Sequence, residues 1–175
     1  TSCSRMAGML GGMFEEEAQK IGWQNLKTHS QVDTLVKNVN REFSLLYIGS
    51  ATVQSKGGVP PAPFNGADGF KPEYLDSQDK NDDQTHHFAG YFNAGVLSED
   101  LKAFAHKWGT DLFNSGDRAL GDLAFEMGES TATQYRWYTL PDSGARILEG
   151  EERVDIRLRR IFKIADRIRN EICTR

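Results

Sequence analysis

The feature that most constrains the fold is an apolar repeat with steps of three and four residues in two long stretches. In the first, from Ser30 to Ile48, the repeating residues are Val32, Leu35, Val36, Val39, Phe43 and Leu46. In the second, from Glu151 to Ile172, they are Val154, Leu158, Ile161, Ala165, Ile168 and Ile172. This spacing places apolar side chains on one face of an α-helix. Each stretch is therefore predicted to be one helix that packs lengthwise against others.

Four more helices are predicted from shorter apolar patterns with recognisable start and stop residues. Polar or acidic residues suited to a helix N-terminus precede three of them, and glycine follows two. The four segments are Arg5 to Trp23, Asp82 to Ala94, Ser98 to Gly109 and Asn114 to Gly128. The arginines of the last helix are predicted to form a solvated face; they are Arg157, Arg159, Arg160, Arg167 and Arg169.

The stretch from Gly49 to Lys80 is rich in Gly, Pro, Ser and Asp, which interrupts the helical pattern. We expect a long loop that covers the core, anchored by Phe64, Phe70, Tyr74 and Leu75. Aromatic residues on both sides of a Pro-Asp-Ser-Gly turn favour a short hairpin after Tyr135. The predicted fold class is all-α: a single-domain helical bundle of about five to six helices with a covering loop and one short hairpin.

Size, charge and cysteine content limit the possible settings. The 175 residues, 38% of them hydrophobic, suit a single domain that spans the chain. A formal net charge of -4 provides no general attraction for nucleic acid, so no nucleic-acid partner is expected. No apolar run approaches the roughly 20 residues of a membrane span. Cys3 and Cys173 could form one disulfide if the termini meet, which would favour an extracytoplasmic or secreted protein; two separate thiols in the cytoplasm are the alternative.

The most informative stretch for chemistry is Asp82-Asp83-Gln-Thr-His86-His87. On a helix, residues four apart share a face, which would pair Asp82 with His86 and Asp83 with His87. A carboxylate beside an imidazole can orient a general base or supply two metal ligands. Adjacent histidines point about 100° apart, so only one is expected to be a primary base or ligand. The alternative is a helix start with two favourably placed acids and two packed histidines.

A second polar cluster, with Asp111, Asn114 and Asp117, lies at the start of the next predicted helix but one. If the intervening helices form an antiparallel hairpin, both helix starts face one end of the bundle. The catalytic candidates are then His86, His87, Asp83, Asp117 and Asn114, and the metal-ligand candidates are His87 and Asp83. The alternative is that Asn114 and Asp117 only cap their helix. The sequence identifies no cofactor.

The two clusters carry a resemblance over Asp82 to Gly128. An acid pair leading into His87-Phe88, followed by Asp111-Leu-x-Asn-x-x-Asp-x-x-Leu-Gly, resembles a pattern in uncharacterised helical domains of bacterial secreted and toxin-like proteins. This chain has Gly90-Tyr91 and Ser115-Gly116 where those domains more often have His-x-x-Trp or Asn-Asn. The resemblance implies a helical fold and a bacterial extracytoplasmic setting, and it implies no reaction.

Two functional hypotheses follow. The first is a non-catalytic accessory or interaction domain with a protein partner, in which the polar helix starts are caps. The second is a small helical hydrolase that uses His86 or His87, oriented by an aspartate, as a base or metal ligand. The first is favoured because every candidate residue also has an adequate structural role. A pocket that brings His87, Asp83 and Asp117 together would favour the hydrolase.

Overall fold

The computed structural model describes residues 1–98 and 114–175, and these residues are mostly helical. The helices are α1 (Ser2–Ile21), α2 (His29–Ser55), α3 (Gln84–Val96), α4 (Ser115–Ala132), α5 (Val154–Phe162) and α6 (Ile164–Glu171). The predicted helical character is confirmed. The predicted helix from Ser98 to Gly109 lies outside the described residues after its first position.

The structure is not purely all-α, because two antiparallel strands follow α4. They are β1 (Tyr135–Thr139) and β2 (Arg146–Glu151), and they form a two-stranded sheet with a register shift between Arg136 and Trp137. The predicted hairpin is therefore confirmed, and the class is corrected to a helical fold with one small sheet. Both strands keep most of their side chains exposed, so the hairpin contributes little to the core.

Helix α2 is longer than predicted. It begins with a capping box formed by Thr28 and Gln31, and it continues seven residues past the expected end to Ser55. The hydroxyl of Ser50 donates to the backbone oxygen of Leu46 at 2.6 Å, so the polar side chain of Ser50 finds its partner within the helix. A helix has 3.6 residues per turn, so a repeat of three and four residues does not stay on one face over its full length. Near its C-terminal end, α2 buries Tyr47 and Ser50, whereas Leu46 is exposed. The long loop therefore starts at residue 56 and not at Gly49.

Helices α3 and α4 pack against each other through glycines. A Cβ atom added to Gly128 would collide with the backbone oxygen of Phe92, and one added to Gly95 would collide with that of Phe125. Gly128 was predicted to end its helix, but α4 continues to Ala132. Gly128 is thus a point of close helix contact and not a C-cap.

The predicted C-terminal helix is divided at Lys163, whose φ and ψ of -94° and 3° leave the regular helical conformation. The turn places Ile164 in the core together with Ile161 and Ile168. Arg157 is fully buried and donates to Asp33 Oδ1 at 2.7 Å, so the prediction of a solvated arginine face is wrong at this position.

The chain termini meet, and the loop after α2 covers the core as expected. Cys3 and Cys173 form a disulfide with a Cα–Cα distance of 5.6 Å, and both are buried. Phe64 and Phe70 of the loop are also buried in the core. The loop runs beside the C-terminal residues at this point, because Thr174 N–H donates to Gly69 O at 2.7 Å. None of the helices in the described ranges is long and apolar enough to cross a membrane.

Candidate active site

Asp83 is the N-cap of α3, and this position determines its partner. Its Oδ1 atom accepts from the backbone N–H groups of Thr85 and His86, at 3.0 and 3.4 Å. Its Oδ2 atom lies 3.2 Å from His86 Nδ1. An N-cap side chain turns back over the first helical turn, so the predicted pairing of Asp83 with His87 is corrected to Asp83 with His86. Asp82, the predicted partner of His86, instead accepts the backbone N–H of Asp83 at 2.9 Å.

The covering loop encloses the His86 ring. Phe64 stacks on it with a centroid distance of 5.6 Å, and Tyr47 meets it edge-on at 5.8 Å. The hydroxyl of Thr85 lies within hydrogen-bond distance of both Asp83 Oδ1 and the loop carbonyl of Pro63. These contacts hold the loop over the start of α3, and they explain why the pair of His86 and Asp83 is largely buried.

Two atoms of this pair are unsatisfied. His86 Nε2 and Asp83 Oδ2 are buried, and neither makes an aligned hydrogen bond within the described part of the chain. Because Nδ1 of His86 faces a carboxylate oxygen, we assign the proton of the neutral ring to Nδ1. In this tautomer Nε2 carries an unshared electron pair and acts as a hydrogen-bond acceptor.

Burial shifts the pKa values of Asp83 and His86 in the directions that favour their neutral forms. It raises the pKa of Asp83, although the hydrogen bond from Thr85 and the charge of His86 act in the opposite direction. Burial also lowers the pKa of His86, against the opposing charges of Asp83 and Asp82. The neutral imidazole of His86 is therefore favoured over the imidazolium.

His87 and Asp117 join the starts of α3 and α4. His87 Nε2 lies 2.7 Å from the backbone oxygen of Asp117, and His87 Nδ1 lies 3.9 Å from Asp117 Oδ2. The first contact requires Nε2 to be the donor, because a backbone oxygen can only accept. This contact brings the starts of the two helices together, whereas the predicted helix between them lies outside the described residues after its first position.

Asn114 caps the N-terminus of α4. As the N-cap of α4, its Oδ1 atom accepts from the backbone N–H groups of Asp117 at 3.1 Å and Ser77 at 3.0 Å. It therefore fixes the covering loop to α4, as expected of a helix cap. The other member of the predicted cluster, Asp111, lies outside the described residues.

Gln84 and Asp76 lie beside Asp117, and the sequence does not predict either as part of this cluster. Gln84 donates to the backbone oxygen of Tyr74 at 2.6 Å and to Asp117 Oδ1 at 3.0 Å. Burial raises the pKa of Asp117, and the neighbouring Asp76 carboxylate raises it further. Burial opposes ionisation of Asp76 as well, but backbone N–H groups that donate to it give a net lowering of its pKa. Only the fold brings these distant residues together.

A pocket of about 340 Å³ opens beside the two histidines. Its lining residues are Tyr47, Ala51, Gln54, Asp82, Asp83, Gln84, His86, His87, Gly90 and Tyr91. Of the predicted catalytic residues, His86, His87 and Asp83 therefore share one pocket. Asp117 contacts His87 from outside the pocket wall, so the pocket brings together His87 and Asp83 but not Asp117, and the three-residue condition stated above for the hydrolase is met only in part. Sequence reasoning missed the contribution of α2, because nothing in the pattern of Tyr47 and Gln54 distinguishes them from other helical residues.

The two predicted metal ligands have different partners. Asp83 faces His86, whereas His87 contacts Asp117. Within residues 1–98 and 114–175, no group of three or more His, Cys, Asp and Glu side chains is arranged to hold a metal ion.

Comparison of the chain with protein-family models, with curated proteins and with solved structures gives no match. The geometry of the pocket is therefore the basis for the function proposed below.

Proposed function

We propose that the protein is a small helical hydrolase whose general base is His86, oriented by Asp83. The observation that carries this proposal is the buried Nε2 atom of His86, which has no hydrogen-bond partner in the described residues and belongs to a side chain that lines a pocket. Leaving a buried polar atom unpaired costs about 1–3 kcal/mol. A water molecule or substrate that reached Nε2 from the pocket would supply the missing partner.

The arrangement suits removal of a proton from water. His86 Nε2 takes one proton as the water oxygen forms a bond to the electrophilic atom of the substrate. The imidazolium formed in this step lies beside the carboxylate of Asp83, 3.2 Å from Nδ1, which stabilises its charge. Nε2 then returns the proton to the leaving group as the scissile bond breaks. One water molecule is consumed, and His86 is neutral again.

His87 has a supporting role in this proposal. It lines the same pocket, and its ring is held by the backbone oxygen of Asp117. This contact fixes the orientation of the ring, so His87 can position a substrate that packs against it in the pocket. Asp117 acts through His87 and is a positioning residue.

The disulfide supports an extracytoplasmic setting. Disulfides form and persist in oxidising compartments and are rare in the cytosol. Cys3 and Cys173 are joined across almost the whole chain. We therefore assign the protein to an extracytoplasmic compartment, and its bacterial origin remains a prediction from the resemblance.

The proposal is tested with a panel of ester, amide and glycoside substrates. Replacement of the base in His86→Asn should reduce hydrolysis by about 10²–10⁴-fold, the usual contribution of general acid–base catalysis. Asp142→Asn is a matched polar change at an exposed hairpin position and should leave the rate unchanged. Circular dichroism confirms that each variant is folded. Hydrolysis that survives in folded His86→Asn, or no hydrolysis of any substrate class by the unmodified protein, contradicts the proposal.

The hairpin supports an interaction domain as the second candidate function. Five large side chains of β1 and β2 are each at least 41% exposed: Tyr135, Trp137, Tyr138, Ile147 and Leu148. Such a set of apolar side chains is typical of a surface that meets another protein. A photo-crosslinking residue at position 138 should then join one defined protein in the native cell, whereas the same residue at position 142 should not. Equal labelling at both positions would contradict a specific partner.

A further inference from the structure

We propose that the cleft between the hairpin and helices α4 and α5 is a binding site for a neutral oligosaccharide. The cleft has a volume of about 750 Å³, which is within the range of small-molecule sites. Glu129, one of its lining residues, lies about 18 Å along α4 from Asp117, since each residue of a helix adds about 1.5 Å. The cleft is thus separate from the pocket of His86, and sugar binding there is independent of the proposed hydrolysis.

The first strand of the hairpin supplies an aromatic wall. Tyr135 and Trp137 line the cleft, and their side chains are 41% and 43% exposed. The guanidinium carbon of Arg146 lies 4.8 Å from the centre of the Trp137 ring and helps to orient the indole. The C–H groups of a sugar ring carry a small positive charge, so they pack favourably on the negative face of an aromatic ring. An indole has two faces, and the exposed part of Trp137 is available to such a ligand.

Ion pairs border the aromatic wall and suit the hydroxyl groups of a sugar. Arg146 Nη1 lies 2.8 Å from Glu129 Oε1, and Arg160 Nη2 lies 3.1 Å from Glu152 Oε2. A hydroxyl group both donates and accepts, so it is matched where a carboxylate and a guanidinium lie side by side. The pairs also hold these side chains in place before a ligand binds, which lowers the entropy cost of binding.

Glu152 gives the wall opposite the hairpin a fixed base. Its side chain is only 4% exposed, and both of its carboxylate oxygens accept from Arg160 Nε at 3.3 Å. Arg160 also donates to the backbone oxygens of Ser130 and Thr133. These contacts join the start of α5 to the end of α4, so this wall is held by several polar contacts at once.

The charge of the lining favours a neutral ligand. Among the described lining residues, three glutamates and three arginines have formal charges that cancel: Glu126, Glu129, Glu152, Arg136, Arg146 and Arg160. A bound anion would be repelled by the carboxylates, and a bound cation would be repelled by the guanidinium groups. A ligand with many hydroxyl groups and no charge can instead form hydrogen bonds with both kinds of side chain.

The alternation of side chains along β1 provides a matched control. Trp137 and Thr139 line the cleft, whereas Tyr138 between them does not. Tyr138 is paired with Ile147 across the sheet, and Ile147 does not line the cleft either. Tyr138 is therefore an exposed aromatic residue of the same strand that should not contact the sugar.

Calorimetric titration tests this site with three neutral trisaccharides, maltotriose, cellotriose and triacetylchitotriose, and with the anionic trigalacturonate. We expect at least one neutral trisaccharide to bind, and trigalacturonate to bind at least about tenfold more weakly. Trp137→Ala should weaken the binding of the neutral sugar about tenfold, the ratio that corresponds to about 1.4 kcal/mol. Tyr138→Ala should keep the affinity of the unmodified protein.

Circular dichroism confirms that the variants are folded. Failure of every neutral trisaccharide to bind, tighter binding of trigalacturonate, or an unchanged affinity in folded Trp137→Ala overturns the inference. The titration is repeated with folded His86→Asn, which should bind the sugar as the unmodified protein does. Loss of binding in this variant would place the sugar in the pocket of His86 and would also overturn the inference, whereas unchanged binding without hydrolysis of any substrate would retain the sugar site and remove only the proposed reaction.

Discussion

At the scale of single residues, the decisive contacts depend on the exact place where a helix starts. Asp83 lies one position before α3, so its side chain caps the helix and faces His86. Had the helix begun one turn earlier, the spacing of four residues would have paired Asp83 with His87. The sequence shows the residue types of the site but does not determine the starting position to one residue.

The two roles of Asp83 can be separated by two substitutions. Asp83→Ala removes both the cap and the charge, whereas Asp83→Asn keeps an oxygen that can accept from the helix N–H groups. We expect Asp83→Ala to be about 1 kcal/mol less stable than Asp83→Asn, the usual contribution of an N-cap. Urea denaturation measures the difference. Equal stabilities would show that the cap contributes little, and the orientation of Asp83 would need another cause.

The pKa of His86 predicts a pH dependence of stability. Burial lowers this pKa in the folded protein below the ordinary value of 6.5. The neutral ring therefore contributes stability that is present above pH 6.5 and is lost as the pH falls through the lower, folded-state pKa. His86→Asn lacks this group, so the stability of the variant relative to the unmodified protein should rise on going from about pH 8 to pH 5. A constant difference across this range would contradict a desolvated histidine.

At the scale of elements, the close contact of α3 and α4 holds the two polar helix starts together. The glycines Gly95 and Gly128 allow the two backbones to approach, and Asn114 ties the covering loop to α4. His87 and Asp117 meet because these helices are adjacent.

Substitution of Gly128 tests this packing. In Gly128→Ala the new Cβ atom would collide with the backbone oxygen of Phe92, so the helices must separate. We expect a loss of about 1–3 kcal/mol of stability. Gly12→Ala is the matched control, because Gly12 lies within α1 and has no atom within 4 Å of an added Cβ. It should gain about 0.5–1 kcal/mol from the better helix propensity of alanine. The same effect of both substitutions in thermal denaturation would contradict the packing role.

Elements with a strong local signal could be predicted from the sequence. The apolar repeat located α2, and the aromatic residues around a Pro-Asp-Ser-Gly turn located the hairpin. The C-terminal ends of α2 and α4 could not be predicted as well, because the sequence alone makes Gly49 and Gly128 resemble helix stops. Both are tolerated in the structure, Gly49 within a continuing helix and Gly128 at a helix contact. The partners of His87 and Asp117 depend on tertiary packing, so sequence spacing could suggest them but could not determine them.

At the scale of the whole molecule, the disulfide joins the two termini and lies beside the covering loop. The bond closes a loop of 170 residues, which strongly restricts the unfolded chain. We expect the double substitution Cys3→Ser and Cys173→Ser to lower stability by about 2–5 kcal/mol. Thiol titration of the denatured, unreduced protein should find no free thiol. Two reactive thiols would contradict the disulfide and remove the main support for an extracytoplasmic setting.

The most direct test of the central claim is the ¹⁵N NMR spectrum of the histidine side chains at neutral pH, with His86→Asn used to assign the His86 signals. We predict a neutral ring with its proton on Nδ1 and an unprotonated Nε2. In Asp83→Asn the preference for this tautomer should decrease, because the carboxylate acceptor is gone. A proton on Nε2, or a charged imidazolium at neutral pH, would contradict the assignment of His86 as the general base.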